Sequence, residues 1–326
     1  FFLCELALSS RKMPEKQVRI FMEGAFDLTH YGHANAFRHG KNLFPNTYLI
    51  VGVNSSESIA EAKGSLPVMT DEERCACIRG SRFVDEVIEK TPYVMTDEYL
   101  GWVMQEYGIQ FVVHGDDPCL VNGQDVYGRV KELGMFRSIP RTVGVSTTHV
   151  LGELLQRAGY CQGTSVVSPV EACPLPTTSE TLARRTDISS LMSSFSDYMR
   201  RDCLVPGPHA PVAYVVGTWD LFQPWHALQL ARIRARWPEH KVVVGVLDDI
   251  PESESHSILT LNERALMVMA CRSVDDVLLQ APREMDEEFI ASMGIQVVLH
   301  ETDFTMSEPS SPGLPPTSPL NIDDDD

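Results

Sequence analysis

The sequence predicts an α/β protein of two tandem, doubly wound domains built on parallel sheets, the second degenerate and truncated. Three observations predict it. Apolar runs alternate with amphipathic stretches from Gln17 to Ala158. The same succession returns after residue 211, and the stretch between the two has a different texture. Such alternation gives parallel strands joined by crossover helices that cover both faces of a sheet. In these sheets ligands gather beyond the carboxyl ends of the strands.

The elements follow in order. VRIFM (18–22) reads as a strand and YGHANAFRHGKNLF (31–44) as a helix. YLIVGV (48–53) is a second buried strand, and TDEERCACIRG (70–80) a helix opened by an N-cap threonine followed by acids. FVDEVI is a short strand, TDEYLGWVMQEYG a helix, IQFVVHG a strand, DVYGRVKELG a helix ending in glycine, and TTHVLGELLQRA the last helix. Residues 17–157 are thus one domain. Residues 158–210, rich in Ser, Thr and Pro, read as a partly disordered linker.

The chain is then written a second time. Gly24 answers to Gly217, Asp27 to Asp220 and His33 to His226, each 193 residues on. Glu73-Arg74 recurs as Glu263-Arg264 and VDEV (84–87) as VDDV (274–277), both 190 residues on. IQFVVHGDD (109–117) recurs as IQVVLHETD (295–303), 186 residues on. Offsets that shrink in small steps are those of a duplicated domain with loop deletions, which places the second copy at 211–305. The tail, 306–326, ends in four aspartates and reads as disordered.

Composition narrows the partners. The net charge of −18 makes a surface that repels phosphate backbones, so nucleic acid is not an expected partner. Eight scattered cysteines include no C-x-x-C pair and no zinc spacing, as in reduced thiols of a cytoplasmic protein. FFLCELALSS is too short to span a bilayer and no other segment approaches that length; Met13 is the expected start of a chain written from Phe1. The reading is cytoplasmic, with peripheral contact to a membrane of the endoplasmic reticulum left open.

Candidate chemistry begins at GAFDLTHYGHANAF (24–37). A helix that starts just after His30 points its amides and the positive end of its dipole at the preceding loop, a ready anion site. Gly32 removes a Cβ where something must come close. His30 and His33 share one face of the first turn, as compact donors to phosphate oxygens. Downstream, PRTVGVSTTHV (140–150) supplies the cation Arg141 and the hydroxyls of Ser146, Thr147 and Thr148 at a second helix start. A simple N-cap explains one hydroxyl but not an arginine, a glycine and three hydroxyls together.

His30-Tyr31-Gly32-His33 followed by Arg141-Thr142-Val143-Gly144-Val145-Ser146-Thr147-Thr148 resembles the HxGH and RTxGISTT signatures of the cytidylyltransferases, HxGH nucleotidyltransferases with Rossmann-like domains. The likeness runs from 18 to about 157, and two tandem domains mark the branch acting on phosphoethanolamine. The resemblance implies transfer of CMP from CTP to phosphoethanolamine by in-line attack on the α-phosphate, with no side-chain nucleophile. It implies His30, His33, Lys63 and Arg141 as catalytic groups. Gly24, Ala25, Phe26, Gly32, Val145, Ser146, Thr147 and Thr148 would hold the nucleotide. His114, Gly115 and Asp116 or Asp117 would read the cytosine. Asp27, Lys63, Arg74 and Tyr93 would take the second substrate, Asp27 its ammonium. For Arg74 an intrahelical ion pair competes with a phosphate contact, and for Asp27 a turn or cap. Mg²⁺ is expected with the triphosphate, held by phosphate oxygens and water rather than by a protein site. Tyr93 stands where phosphocholine enzymes carry a tryptophan, which favours a primary ammonium; a phosphocholine enzyme is the alternative, and a non-catalytic CTP sensor a more distant one. In the second copy Gln223 replaces His30 and Trp225 replaces Gly32, no lysine answers Lys63, and no RTxGxSTT follows. That copy is expected not to turn over and to pack on the first as an internal pseudo-dimer; association of whole chains stays open.

Overall fold

Strand β1 (Val18–Gly24) sits at the centre of the first sheet and explains the run VRIFM. Its alternate side chains enter two different cores, Ile20 and Met22 on one face and Phe21 on the other. A strand covered on both sides must be apolar on both. The computed structural model describes residues 17–121, 123–157, 178–205, 210–249 and 257–301. Beyond β1 the first repeat contains α1 (Tyr31–Lys41), β2 (Thr47–Asn54), α2 (Ser56–Lys63), α3 (Asp71–Arg79), β3 (Glu86–Thr91), α4 (Asp97–Tyr107), β4 (Phe111–Gly115), a small hairpin of β5 (Leu120–Val121) and β6 (Gln124–Asp125), α5 (Gly128–Glu132), β7 (Phe136–Ile139) and α6 (Thr147–Arg157). The sheet order is β3-β2-β1-β4-β7 and every pair is parallel.

After α7 (Thr178–Arg201) the second repeat comprises β8 (Val212–Gly217), α8 (Pro224–Arg236), β9 (Lys241–Val246), α9 (Leu261–Ala270), β10 (Asp276–Leu279), α10 (Glu287–Met293) and β11 (Ile295–His300). Its parallel sheet, β10-β9-β8-β11, repeats the first without a counterpart to β7 among the described residues. Three pairs of non-glycine residues in left-handed backbone also match across the repeats: Phe26 with Trp219, Leu28 with Leu221, and Lys90 with Gln280.

The two repeats meet about a pseudo-two-fold axis. Ser81 and Cys271, equivalent positions, form an antiparallel bridge. On one side the Arg82 amide donates to Ala270 O at 2.8 Å, and on the other the Arg272 amide donates to Gly80 O at 2.9 Å. The Arg82 guanidinium donates to the carbonyls of Cys271 and Val274, and that of Arg272 to those of Ser81 and Val84. Each bond has its mate, the signature of an isologous contact. A Cβ on Gly80 would lie 2.8 Å from that of Ala227, so only glycine allows this approach. One apolar cluster runs from Ile20 and Leu49 through Phe83 to Val215 and Val244, so the repeats share a core.

The expected linker needs correction: residues 178–201 form the 24-residue helix α7, packed on α9. Phe195 is fully buried, and with Tyr198 it meets the Phe83 ring edge-on, at 5.3 and 4.8 Å. The apolar positions Ile188, Phe195 and Met199 fall on one helical face, a signal that the surrounding Ser and Thr dilute. The expected tail, the residues before 17 and the rest of the linker lie outside the described residues, apart from 201–205 and 210.

Removing either guanidinium leaves buried carbonyls without a donor. We expect Arg82→Ala and Arg272→Ala each to lower the free energy of unfolding by about 2 kcal/mol, with the double variant losing clearly less than the sum because both act on one interface. Urea titration of all three measures this; strictly additive, small losses would mean that the repeats do not depend on each other.

Candidate active site

The loop from β1 to α1 turns where two non-glycine residues adopt left-handed backbone, Phe26 at φ 50° and Leu28 at φ 44°. Each costs about 1–2 kcal/mol and needs an external hold. Asp27 supplies it: its carboxylate accepts from the amides of Val68 at 2.7 Å and Met69 at 2.9 Å. In the second repeat Asp220 accepts in the same way from Ile258 and Leu259. The expectation that Asp27 faces a substrate ammonium is therefore corrected. Its carboxylate is committed to the loop, in a repeat that keeps the histidine pair and in one that has lost it.

Both imidazoles are fixed by the backbone. His30 is the N-cap of α1 and its Nδ1 accepts from the Gly32 amide at 3.2 Å. The Nδ1 of His33 accepts from the His30 amide at 3.4 Å, and the two rings stack with centroids 3.9 Å apart. With Nδ1 accepting, the hydrogen of each neutral ring sits on Nε2, the edge left for the cleft. Burial, and then the Arg141 charge, depress the pKa of His33 to about 4. Burial, followed by the charges of His33, Arg141 and His149, holds His30 well below its ordinary value. At neutral pH both are uncharged donors.

Across a cleft of about 370 Å³ stands the segment from Arg141 to Thr148. His30, His33, Lys63, Tyr93, Arg141, Ser146, Thr147 and Thr148 all line it, as do Gly24, Ala25, Phe26, Gly32, His114, Gly115 and Val145. Ser146 Oγ caps α6 by accepting from the His149 amide at 3.1 Å, and the Thr147 hydroxyl donates to Asp27 O at 3.0 Å. The start of α6 is thereby locked against the loop that carries the histidines. Lys63 ends α2 beside the left-handed Gly64 and places Nζ 5.1 Å from the centroid of the Tyr93 ring.

Three further expectations change. Arg74 does not reach the cleft: it is fully buried, donates to Ala25 O at 2.7 Å and Asn54 O at 2.8 Å, and pairs with Asp71 at 2.6 Å. Arg264 makes the matching bonds to Thr218 O and Leu247 O, so this arginine ties strand ends together in both repeats. Gly32 is needed for protein packing, since a Cβ there would come within 2.8 Å of Val145 and 3.0 Å of the His30 ring. Asp116 and Asp117 hold Arg141: Asp116 accepts from its amide at 3.2 Å, and Asp117, which also lines the cleft, pairs with its guanidinium at 3.1 Å.

One group escaped the sequence reading. Glu23, the last residue but one of β1, lines the cleft, is 6% exposed, and has no hydrogen-bond partner on either carboxylate oxygen among the described residues. Burial pushes its pKa up to about 8, against a smaller downward pull from the Tyr127 hydroxyl. The available signal was a lone acid in an otherwise apolar strand.

A family model described as cytidylyltransferase-like matches residues 21–153 and again 214–311. The ethanolamine-phosphate cytidylyltransferase of Dictyostelium discoideum is 36% identical over 300 residues, covering 89% of this chain and 80% of that protein. The Arabidopsis thaliana enzyme of the same name is 33% identical over 329 residues, covering 92% and 75%. The chain belongs to the ethanolamine-phosphate cytidylyltransferase family. Choline-phosphate cytidylyltransferase A of Homo sapiens is 44% identical, but over 150 residues, 45% of the chain, too short a stretch to include both repeats. Family membership thus rests on the tandem architecture as much as on the histidine motif.

Glu23 has a higher pKa folded than unfolded, about 8 against 4.5. Its neutral form therefore supports the fold only below about pH 4.5, and that support is lost as pH rises to 8. Glu23→Gln is expected to raise stability by about 2–3 kcal/mol at pH 7–8 and by almost nothing at pH 4. Urea unfolding across that range measures the difference; a gain independent of pH would show that the carboxyl is not strained.

Proposed function

We propose that the chain transfers CMP from CTP to phosphoethanolamine, releasing pyrophosphate, in the cleft of the first repeat. The observation that carries this is a single cleft holding two neutral imidazoles, a cationic and hydroxyl-rich helix start facing them, and the buried carboxyl of Glu23. An oxygen of the substrate phosphate attacks the α-phosphorus of CTP as the bond to the bridging oxygen of pyrophosphate breaks, so the reaction needs positioning and charge stabilisation and no protein nucleophile. The Nε2 hydrogens of His30 and His33 donate to phosphate oxygens as negative charge shifts to the leaving group. Arg141 and the amides at the start of α6 take the β and γ phosphates. Lys63, on the tip of α2, lies between the two phosphates and offsets their repulsion.

The amino-alcohol end is assigned to Glu23. A carboxyl held neutral by burial ionises when a primary ammonium arrives, and the tyrosines at 93 and 127 frame the same end of the cleft. Among the described residues no group of three or more His, Cys, Asp or Glu side chains could hold a metal ion. Mg²⁺, where it enters with CTP, would be held by phosphate oxygens and water. The five described cysteines form no disulfide with one another. No described helix is long and apolar enough to cross a membrane.

His33→Ala removes a donor that acts on developing charge, and CTP-dependent pyrophosphate release is expected to fall about 10²–10³-fold in kcat. Retention of full turnover would exclude the cleft as the site. The substrate is tested by parallel assays with phosphoethanolamine and phosphocholine. We expect kcat/KM to favour phosphoethanolamine by at least tenfold, as one buried carboxylate that prefers a hydrogen-bonding ammonium allows; faster turnover of phosphocholine would overturn the assignment.

A further inference from the structure

The second repeat carries an acid where the first has a glycine. Strand β11 faces β8 in the register that β4 keeps with β1: Val297 lies opposite Ala213, as Phe111 lies opposite Ile20. Four residues on in each case, Glu301 occupies the position of Gly115. Its side chain turns back over the end of β8, where Oε2 accepts from the amides of Thr218 at 2.5 Å and Trp219 at 3.2 Å. Oε1 lies 2.7 Å from His226 Nε2. The Gln223 amide donates to His226 Nδ1 at 2.8 Å, which leaves the hydrogen on Nε2 to be donated to Glu301. A Cβ on Gly217 would collide with this side chain, so the glycine before the loop makes room for it. Burial alone would raise the pKa of Glu301, but the hydrogen bonds from His226 and the two amides reverse the sign and hold it low.

Each of these three donors has a counterpart in the first repeat. Thr218 and Trp219 answer to Ala25 and Phe26, and His226 to His33. Trp219 and Phe26 share left-handed backbone, at φ 58° and 50°. A left-handed residue in such a turn aims consecutive amides to one side, forming a concavity for an anion. In the second repeat that concavity holds a carboxylate.

We propose that Glu301 is a built-in anion seated in the anion cradle of the second repeat, closing that cleft to phosphate-bearing ligands. This rests only on the duplication and the contacts. It gives the second repeat a site that is complete without a ligand, which suits a half whose part is to hold the pseudo-dimer.

The test compares the full chain with Glu301→Gly, Glu301→Ala and Glu301→Gln, using inorganic phosphate as the probe. Glycine or alanine unseats the anion, and the thermal midpoint is expected to fall by roughly 5 °C. Millimolar phosphate should recover at least half of that loss, beyond any shift in the unsubstituted chain. Equilibrium dialysis should count one more bound phosphate per chain than before. Glutamine keeps the occupant's shape, and its variant should neither bind the extra phosphate nor be rescued. Phosphate that stabilises the glycine and alanine variants no more than the parent, with no added anion, overturns the proposal. Equal rescue of the glutamine variant does the same, since it would be a general salt effect. Neither readout involves turnover, so a wrong substrate assignment leaves the result intact.

Discussion

The carboxylate of Asp27 on the amides of Val68 and Met69 is the contact on which the site depends. Two left-handed, non-glycine residues flank it, and neither keeps its conformation without a tether. Because the loop is pinned there, His30 can cap α1, His33 can accept from the cap, and the Ala25 carbonyl can receive the buried Arg74. The same carbonyl-rich turn then accepts Thr147 at the Asp27 oxygen, which joins the start of α6 to the start of α1. One ion-to-amide clamp thus sets the distance between the two helix ends that face each other across the cleft. Sequence proximity to the histidines made Asp27 look like a substrate ligand; its actual work is to make the loop possible.

The second repeat acts as an internal control on such assignments. It has lost the first histidine, the lysine and the glycine of the motif, yet it keeps Asp220 on two amides, Arg264 on two carbonyls and the left-handed pair Trp219 and Leu221. What persists without the chemistry belongs to the framework. By the same reasoning, the Trp225 ring packs tilted against His226 with centroids 3.6 Å apart, and Glu301 takes the Nε2 edge of that imidazole. The surviving histidine has been absorbed into packing and hydrogen bonding within the protein.

Much of the architecture was legible in the residues. Period and punctuation located β1, α1, β2, α3, α4 and α6, and the constant offsets located the second copy. Besides the short hairpin β5–β6, three elements were hidden for identifiable reasons. Helix α2 follows β2 so closely, with only Ser55 as cap, that SESIAEAK reads as loop. Helix α7 sits in Ser- and Thr-rich sequence, where few apolar residues carry its buried face. Strand β7 is four residues at an edge. Within the site, residue types near the motifs were identified, but their partners were not. Whether Asp116 and Asp117 meet a base or an arginine is decided by the path of the loop before α6, which no local pattern records. Glu23 was overlooked because the apolar run was read as ending at Met22, whereas β1 continues to Gly24 and places Glu23 in the cleft.

Glu23 and the histidines are displaced from their ordinary titration in opposite senses by one cause, burial in the same cleft. The acid holds a proton it would lose in water, and the imidazoles lack one they would partly hold. The imidazoles are held in that form twice over, by burial and by the Gly32 and His30 amides that occupy their Nδ1 atoms, so they face the cleft as neutral Nε2 donors. Both displacements follow from placing a buried acid and two capped histidines around a single space, where the charged form of each group loses its solvation.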